Sequence, residues 1–231
     1  MRNSILFAGA LSCIAAPAFA QGSSQYQPSA EEVDAIAAGL PQLMLHPLYD
    51  EPYVCSEHPF GTSMEPGDSL GQDCLIIGGM DWETNSGFMT YYRTDGGENS
   101  DWYGWGKPVF APAAGTIGRV HVNEVVNTPG TMIRGLPTML SITDEAGNSY
   151  VIGHLGEIHV EEGQSVAAGE QIGTVGNNGN SRSPHIHVGA ITADGKPAQI
   201  RWNLVTSALR TRDYVTKMRA ESKAGGHAEA E

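Results

Sequence analysis

From residue 109 to 191 the chain is a series of short apolar runs cut by Gly, Asn and Asp. The runs cover 116–122, 139–143, 149–154, 171–175 and 185–191, each five to seven residues long. Runs of this length, bounded by turn residues, are the signature of antiparallel β-structure. Asp144, Glu145, Ala146, Gly147 and Asn148 supply a hairpin loop between two of them. Asn177, Asn178, Gly179, Asn180 and Ser181 read as an exposed loop, the usual place for a site rim. Between 53 and 103 the pattern is Gly-rich connection with short strands, including Leu75-Ile76-Ile77. Helical periodicity appears only near the ends. Ser29-Ala30-Glu31-Glu32 has the form of a capping box, followed by Val33, Ile36, Ala37 and Leu40 at helical spacing and stopped by Pro41. Residues 203–222 predict a terminal helix with Leu204, Leu209 and Val215 among its apolar members, and 224–231 a disordered tail. The fold class is mainly β, antiparallel, with a short helix at each end.

The amino terminus changes the compartment. Met1-Arg2-Asn3 is a basic start, residues 5–17 are largely apolar, and Ala18-Phe19-Ala20 has the form of a cleavage site before Gln21. This reads as a secretory signal peptide over 1–20, and a secreted or periplasmic product follows. Residues 21–52 are then a polar leader and helix, 53–202 the main domain, and 203–231 the closing helix and tail. No later segment approaches the roughly 18 apolar residues of a membrane span.

Beyond the signal two cysteines remain, Cys55 and Cys74. An even pair in an oxidising compartment predicts a disulfide, which contributes about 3 kcal/mol in the chain-entropy model. The formal net charge is −13. That balance excludes a nucleic-acid partner, whose phosphates it would repel, and disfavours anionic membranes. Oligomeric state has no signature in the sequence.

Candidate chemistry gathers in Ser183-Pro184-His185-Ile186-His187-Val188. Residues two apart on a strand share a face, so His185 and His187 project together while Ile186 turns to the core. Gly153-His154-Leu155, from another strand, adds a third imidazole. Such a set can hold a divalent metal or move a proton. His46, His58, His159 and His227 stand outside any motif and read as structural or exposed.

The chain from about 104 to 191 resembles the lysostaphin-type, or LytM-like, zinc endopeptidases that cut peptidoglycan cross-bridges. The matching pieces include Gly106-Lys107-Pro108-Val109, Ala114-Gly115-Thr116-Ile117, Gly153-His154-Leu155, Ala168-Gly169-Glu170-Gln171-Ile172-Gly173 and Pro184-His185-Ile186-His187. The resemblance implies a β-hammerhead-like LytM domain, one Zn²⁺ per chain and a peptidoglycan or peptide substrate. It casts His187 as a metal ligand and His154 and His185 as catalytic residues. The rhythm of 160–176 also occurs in biotinyl and lipoyl carriers, but those need a Lys at a hairpin tip, and Gly176-Asn177-Asn178-Gly179-Asn180 has none.

One element of the resemblance is missing. The family takes its other ligands from His-x-x-x-Asp placed before the Gly-x-Pro-Val segment. Asp101 lies at about that distance from Gly106, but Gly97 stands where the histidine belongs. Asp101 is the carboxylate candidate. Asp81, in Gly79-Met80-Asp81, is a second, with Ile77 in the histidine position. Asp95, Glu98, Asn99 and His121 are further candidates for the open ligand place, and Trp102, Tyr103 and Trp105 for flanking a substrate groove. Two functions follow: an exported zinc metalloendopeptidase, or a degenerate, non-catalytic LytM-like domain that binds cell wall or regulates another hydrolase.

Overall fold

The structure is a computed structural model and describes residues 29–61, 67–79 and 88–225. The segments expected as signal peptide and polar leader, Asp81 and the last residues of the tail lie outside these. The first helix, α1 (Ala30–Gly39), forms where the capping box and apolar spacing place it. The chain divides into two compact units, Met1–Ala38 and Gly39–Glu231, and the second holds all that follows.

That second unit is β-rich. Its strands are β1 (Gln42–Leu45), β2 (Tyr53–Glu57), β3 (Gln72–Ile76), β4 (Pro108–Phe110), β5 (Gly115–His121) and β6 (Met139–Thr143). Then come β7 (Ser149–Gly153), β8 (Leu155–Ile158), β9 (Ser165–Val166), β10 (Gln171–Val175), β11 (Ile186–Ile191) and β12 (Gln199–Trp202). A terminal helix, α2 (Leu204–Gly225), closes the described chain. One sheet runs β2-β3-β11-β7-β6-β5-β9, with every neighbouring pair antiparallel, and a smaller one runs β4-β10-β8. The five runs expected at 116–191 appear as β5, β6, β7, β10 and β11, shifted at their ends by at most one residue. The hairpin at Asp144 closes on itself, its amide and carboxylate both engaging Asn148.

The pair β1–β12 departs from the antiparallel expectation. It is parallel, with Gln42 opposite Gln199 and Leu45 opposite Trp202. Two four-residue strands 157 positions apart leave no periodic trace in sequence, so their pairing is tertiary in origin.

Alternation along the strands builds the core. On β11 Ile186, Val188 and Ala190 are fully buried, and they join Ile152, Leu140 and Ile142 from its neighbours. Leu155, Ile172, Val175 and Val109 from the small sheet enter the same cluster. Burying each such aliphatic side chain contributes about 1.5–3 kcal/mol. Beside β2 and β3, Tyr49, Tyr53 and Trp202 stack edge to face, and the Tyr49 hydroxyl donates to the Cys74 carbonyl at 2.9 Å. The predicted disulfide is present: Cys55 and Cys74 face each other across β2 and β3 and are bonded.

Candidate active site

Sheet register explains how distant residues meet. On β11 the odd position His187 faces away from Ile186 and Val188. Its cross-strand partners are Asp73 on β3 and Gly153 on β7. Asp73 in turn lies opposite Ser56 on β2. Paired residues share a face, so Ser56, Asp73, His187 and Gly153 line one side of the sheet. His58, two residues beyond Ser56, keeps that parity, and its amide extends the ladder by donating to the Gly71 carbonyl at 2.8 Å. His154 follows Gly153, and His185 precedes β11, bridged to Gly176.

The resulting cluster is compact. His187 Nδ1 lies 3.0 Å from Asp73 Oδ1, and His58 Nε2 lies 3.1 Å from Asp73 Oδ2. His185 Nε2 is 3.5 Å from Asp73 Oδ1. One ligand atom from each of His58, Asp73 and His187 falls within 4.8 Å of the others. The His154 and His185 rings sit 4.6 Å apart, beside His187. His154, His185 and His187 are buried, whereas His58 and Asp73 are half-buried.

The outer nitrogens of His58 and His187 are taken by backbone carbonyls, which only accept. His58 Nδ1 faces Asp68 O at 3.2 Å, and His187 Nε2 faces Gly67 O at 3.3 Å. In the ion-free cluster a proton on His58 Nε2 or His187 Nδ1 bridges to the Asp73 carboxylate. With the ring protons moved to the outer nitrogens, where the carbonyls can accept them, His58 Nε2 and His187 Nδ1 become free to ligate. Together with the Asp73 carboxylate they then offer three converging donor atoms, and two imidazoles with a carboxylate suit zinc.

Asp73 is held well below the ordinary carboxylate range. Burial works to raise it, but hydrogen bonds and positive charge from His185 and His187 outweigh that. His154 is driven away from its charged form. Burial, reinforced by the neighbouring His185, lowers it to about 3. Its Nδ1 donates to Asn178 O at 2.8 Å, so the neutral ring keeps Nε2 free as an acceptor. The backbone of His154 is also unusual: φ is 64°, a left-handed value shared among described non-glycine residues only by Leu70. Such strain persists where the surroundings dictate it, and it clusters at functional sites.

The loop after β10 differs from expectation. Asn177, Asn178 and Ser181 are at most 3 % exposed. Polar side chains are buried here because each is paired. Ser181 Oγ lies 2.8 Å from both Asn177 Oδ1 and Ser183 O. Asn178 Nδ2 donates to Leu155 O, and its Oδ1 accepts from Thr138 N, both at 2.7 Å. Asn127, from the β5–β6 connection, donates to Gly179 O and Ser181 O. The loop is a rigid support under His154 and His185, with only Asn180 and Arg182 fully exposed.

Of the sequence-derived residues, His154, His185 and His187 come together. Asp101 does not join them. It closes a 3-10 turn (Asn99–Asp101), and its carboxylate accepts the amides of Thr94 and Gly96 at 2.9 and 2.6 Å. Asp95 caps its own turn through Gly97 N. His121 is bound to Pro137 O. Trp102 donates to Gly96 O and packs on Tyr91 and Tyr92, and Tyr103 packs on the core beneath Arg93. The aromatic segment thus serves its own loop.

His58 is not legible as a site residue in the sequence, and Asp73 is missed although Gly71-Gln72-Asp73 has the same Gly-x-Asp form as Gly79-Met80-Asp81. A further signal points to both. If Cys55 and Cys74 are placed as direct cross-strand partners, antiparallel counting sets Ser56 opposite Asp73 and His58 opposite Gly71. Gly71 belongs to the same geometry, since a Cβ there would lie 2.8 Å from His187 Cε1.

Comparison with known proteins agrees with the motif residues. Residues 102–199 match the family model of Peptidase family M23. No curated protein matches. Among solved structures, the catalytic domain of the antimicrobial peptidase lysostaphin from Staphylococcus simulans is 19 % identical. That alignment covers 62 % of this chain and 82 % of that one, with a TM-score of 0.37. The catalytic domain of a point mutant of the prophage-encoded M23 protein EnpA from Enterococcus faecalis is 18 % identical, covering 64 % and 88 %, at 0.40. A putative peptidase M23 from Pseudomonas aeruginosa is 22 % identical over 77 % and 59 %, also at 0.40. His58 and Asp73 precede the matched segment, whereas His154, His185 and His187 fall within it. Residues 102–199 are thus similar to peptidase family M23, in line with the lysostaphin-type resemblance carried by the Pro-His-Ile-His and Gly-His-Leu segments.

Proposed function

We propose that this protein is an exported zinc metalloendopeptidase that hydrolyses peptide bonds of peptidoglycan. The observation that carries the reading is the convergence of His58 Nε2, His187 Nδ1 and the Asp73 carboxylate, each imidazole anchored behind by a backbone carbonyl. His58, Asp73 and His187 hold the ion; Asp73 replaces Asp101 as the carboxylate ligand. His58 stands in for the absent motif histidine, which weakens the ground for a non-catalytic domain. The amino-terminal signal pattern and the Cys55–Cys74 disulfide support export.

When bound, zinc supplies Lewis acidity toward a water molecule and the scissile carbonyl. The protein's own groups manage the protons. His154 stays neutral at physiological pH, and its free Nε2 accepts a proton from the attacking water and returns it to the leaving amine. His185, whose Nδ1 proton is committed to Ser183 O at 2.8 Å, presents Nε2 to the same space. There an Nε2 proton would face the developing oxyanion.

Metal analysis and muropeptide release from purified sacculi test this reading. About one zinc per chain is expected. His154→Ala should retain zinc and lose on the order of 10²–10⁴ in rate. Failure to take up zinc after reconstitution, or full activity of His154→Ala, would overturn it.

A further inference from the structure

The three proposed ligands are not equally secured. Asp73 and His187 sit on β3 and β11, each paired with a strand on both sides. His58 follows β2, the edge of the sheet, which among the described strands pairs with β3 alone. β2 is five residues long and ends in the exposed pair Ser56 and Glu57. Short edge strands open locally at low free-energy cost. Beyond the backbone ladder, one covalent link crosses from β2 to β3. Cys55 lies three residues before His58, and Cys74 is the residue after Asp73, with their Cα atoms 4.1 Å apart. The link therefore sits close to both groups that must meet.

We infer that the Cys55–Cys74 disulfide is a positioning device for the metal centre: it holds His58 against Asp73, so that the third ligand stays in place although its strand is an edge. This rests on the metal-site reading above. A cross-link adding only stability would raise the melting temperature and leave the affinity of the folded protein for zinc unchanged. A positioning link raises the affinity itself, because the His58 ring is presented at a fixed place rather than searched for.

The test is a cycle of zinc affinities, measured by competition with a chromophoric chelator, on the full chain and on Cys55→Ser/Cys74→Ser, each with His58 and with His58→Gln. Opening the link should weaken zinc binding by about 10–100-fold where His58 is present, the range seen when a ligand's support is lost. Where His58 is replaced, it should change affinity by less than about twofold, because neighbours acting through one another are non-additive. An equal loss in both backgrounds, or no loss in either, would overturn the inference. If the oxidised wild type binds no zinc, the metal-site reading falls first, and the inference with it.

Should the cysteine-free variant not fold, the zinc-free native protein provides the second arm. Dithiothreitol gives two electrons and two protons to the disulfide, leaving two protein thiols and its own cyclic disulfide. Carbethoxylation of His58 should then accelerate several-fold relative to His159. An unchanged ratio in protein shown to be reduced and still folded would also overturn it.

Discussion

The two halves of the site are built by opposite means. On the β7–β11 side, His154, His185 and His187 lie in two short segments, and local rules place them: alternation turns His187 away from Ile186 and Val188, and a turn carries His154 off the end of β7. On the β2–β3 side, His58 and Asp73 come from segments with no shared motif; pairing with β11 places Asp73 opposite His187, and the β2–β3 ladder brings His58 beside Asp73. The first half is written in residue order. The second is written in sheet register, which a linear reading does not display.

The largest effect should come from breaking the second half at its centre. Asp73 touches three histidines, whereas Asp101 touches backbone amides. Asp73→Asn should weaken zinc binding by at least about 100-fold, through loss of the anionic ligand, and Asp101→Asn should leave it unchanged. Chelator competition on both variants decides it, and the reverse pattern would return the carboxylate role to Asp101.

The junction of the two halves offers a smaller test. Gly71 leaves room for the His187 ring; an added Cβ would lie 2.8 Å from His187 Cε1 and 2.4 Å from Gly67 O. Gly71→Ala should therefore cost about 1–3 kcal/mol of stability through overpacking and lower zinc affinity. Gly163→Ala is not a suitable control, because φ there is +84°. Gly39→Ala is, with open space around its Cβ position. Chemical denaturation of both variants measures the difference.

An effect confined to acid conditions belongs to the first half alone. His154 binds its proton only near pH 3 when folded, but near 6.5 when unfolded. Between these values the unfolded chain holds the extra proton, so the stability of the zinc-free protein falls as pH falls, by up to about 1.4 kcal/mol per pH unit. His154→Gln should flatten that slope between about pH 6 and about 4, as urea titrations across the range would show. Asp73 acts in a lower window: its depressed titration contributes stability above about pH 4 that is lost on further acidification.

These contrasts mark how far the sequence can be read. The strands β5, β6, β7, β10 and β11 are legible because most carry their own alternation and turn residues, whereas β8 and the two-residue β9 are too short to show one. β1 and β12 are not, since four residues apiece hold too little pattern and meet across the whole fold. Within the site, His187, His185 and His154 are legible through spacing. His58 reads as structural because nothing near it in sequence suggests metal chemistry, and Asp101 attracts the carboxylate role because its distance from Gly106 imitates the missing motif. The exposed loop expected at 177–181 is buried because Asn and Ser look solvent-seeking until their partners, here Asn127, Thr138 and Leu155, are known.

The register of β2 on β3 also bears on how the molecule matures. Slipping β3 by one residue would turn Asp73 toward the core and swing Cys74 to the opposite face from Cys55. The two sulfurs could not then bond. Oxidation is thus possible only in the alignment that sets Asp73 beneath His58, and the disulfide serves as a proofreading step, recording in a covalent bond that the strands were threaded correctly.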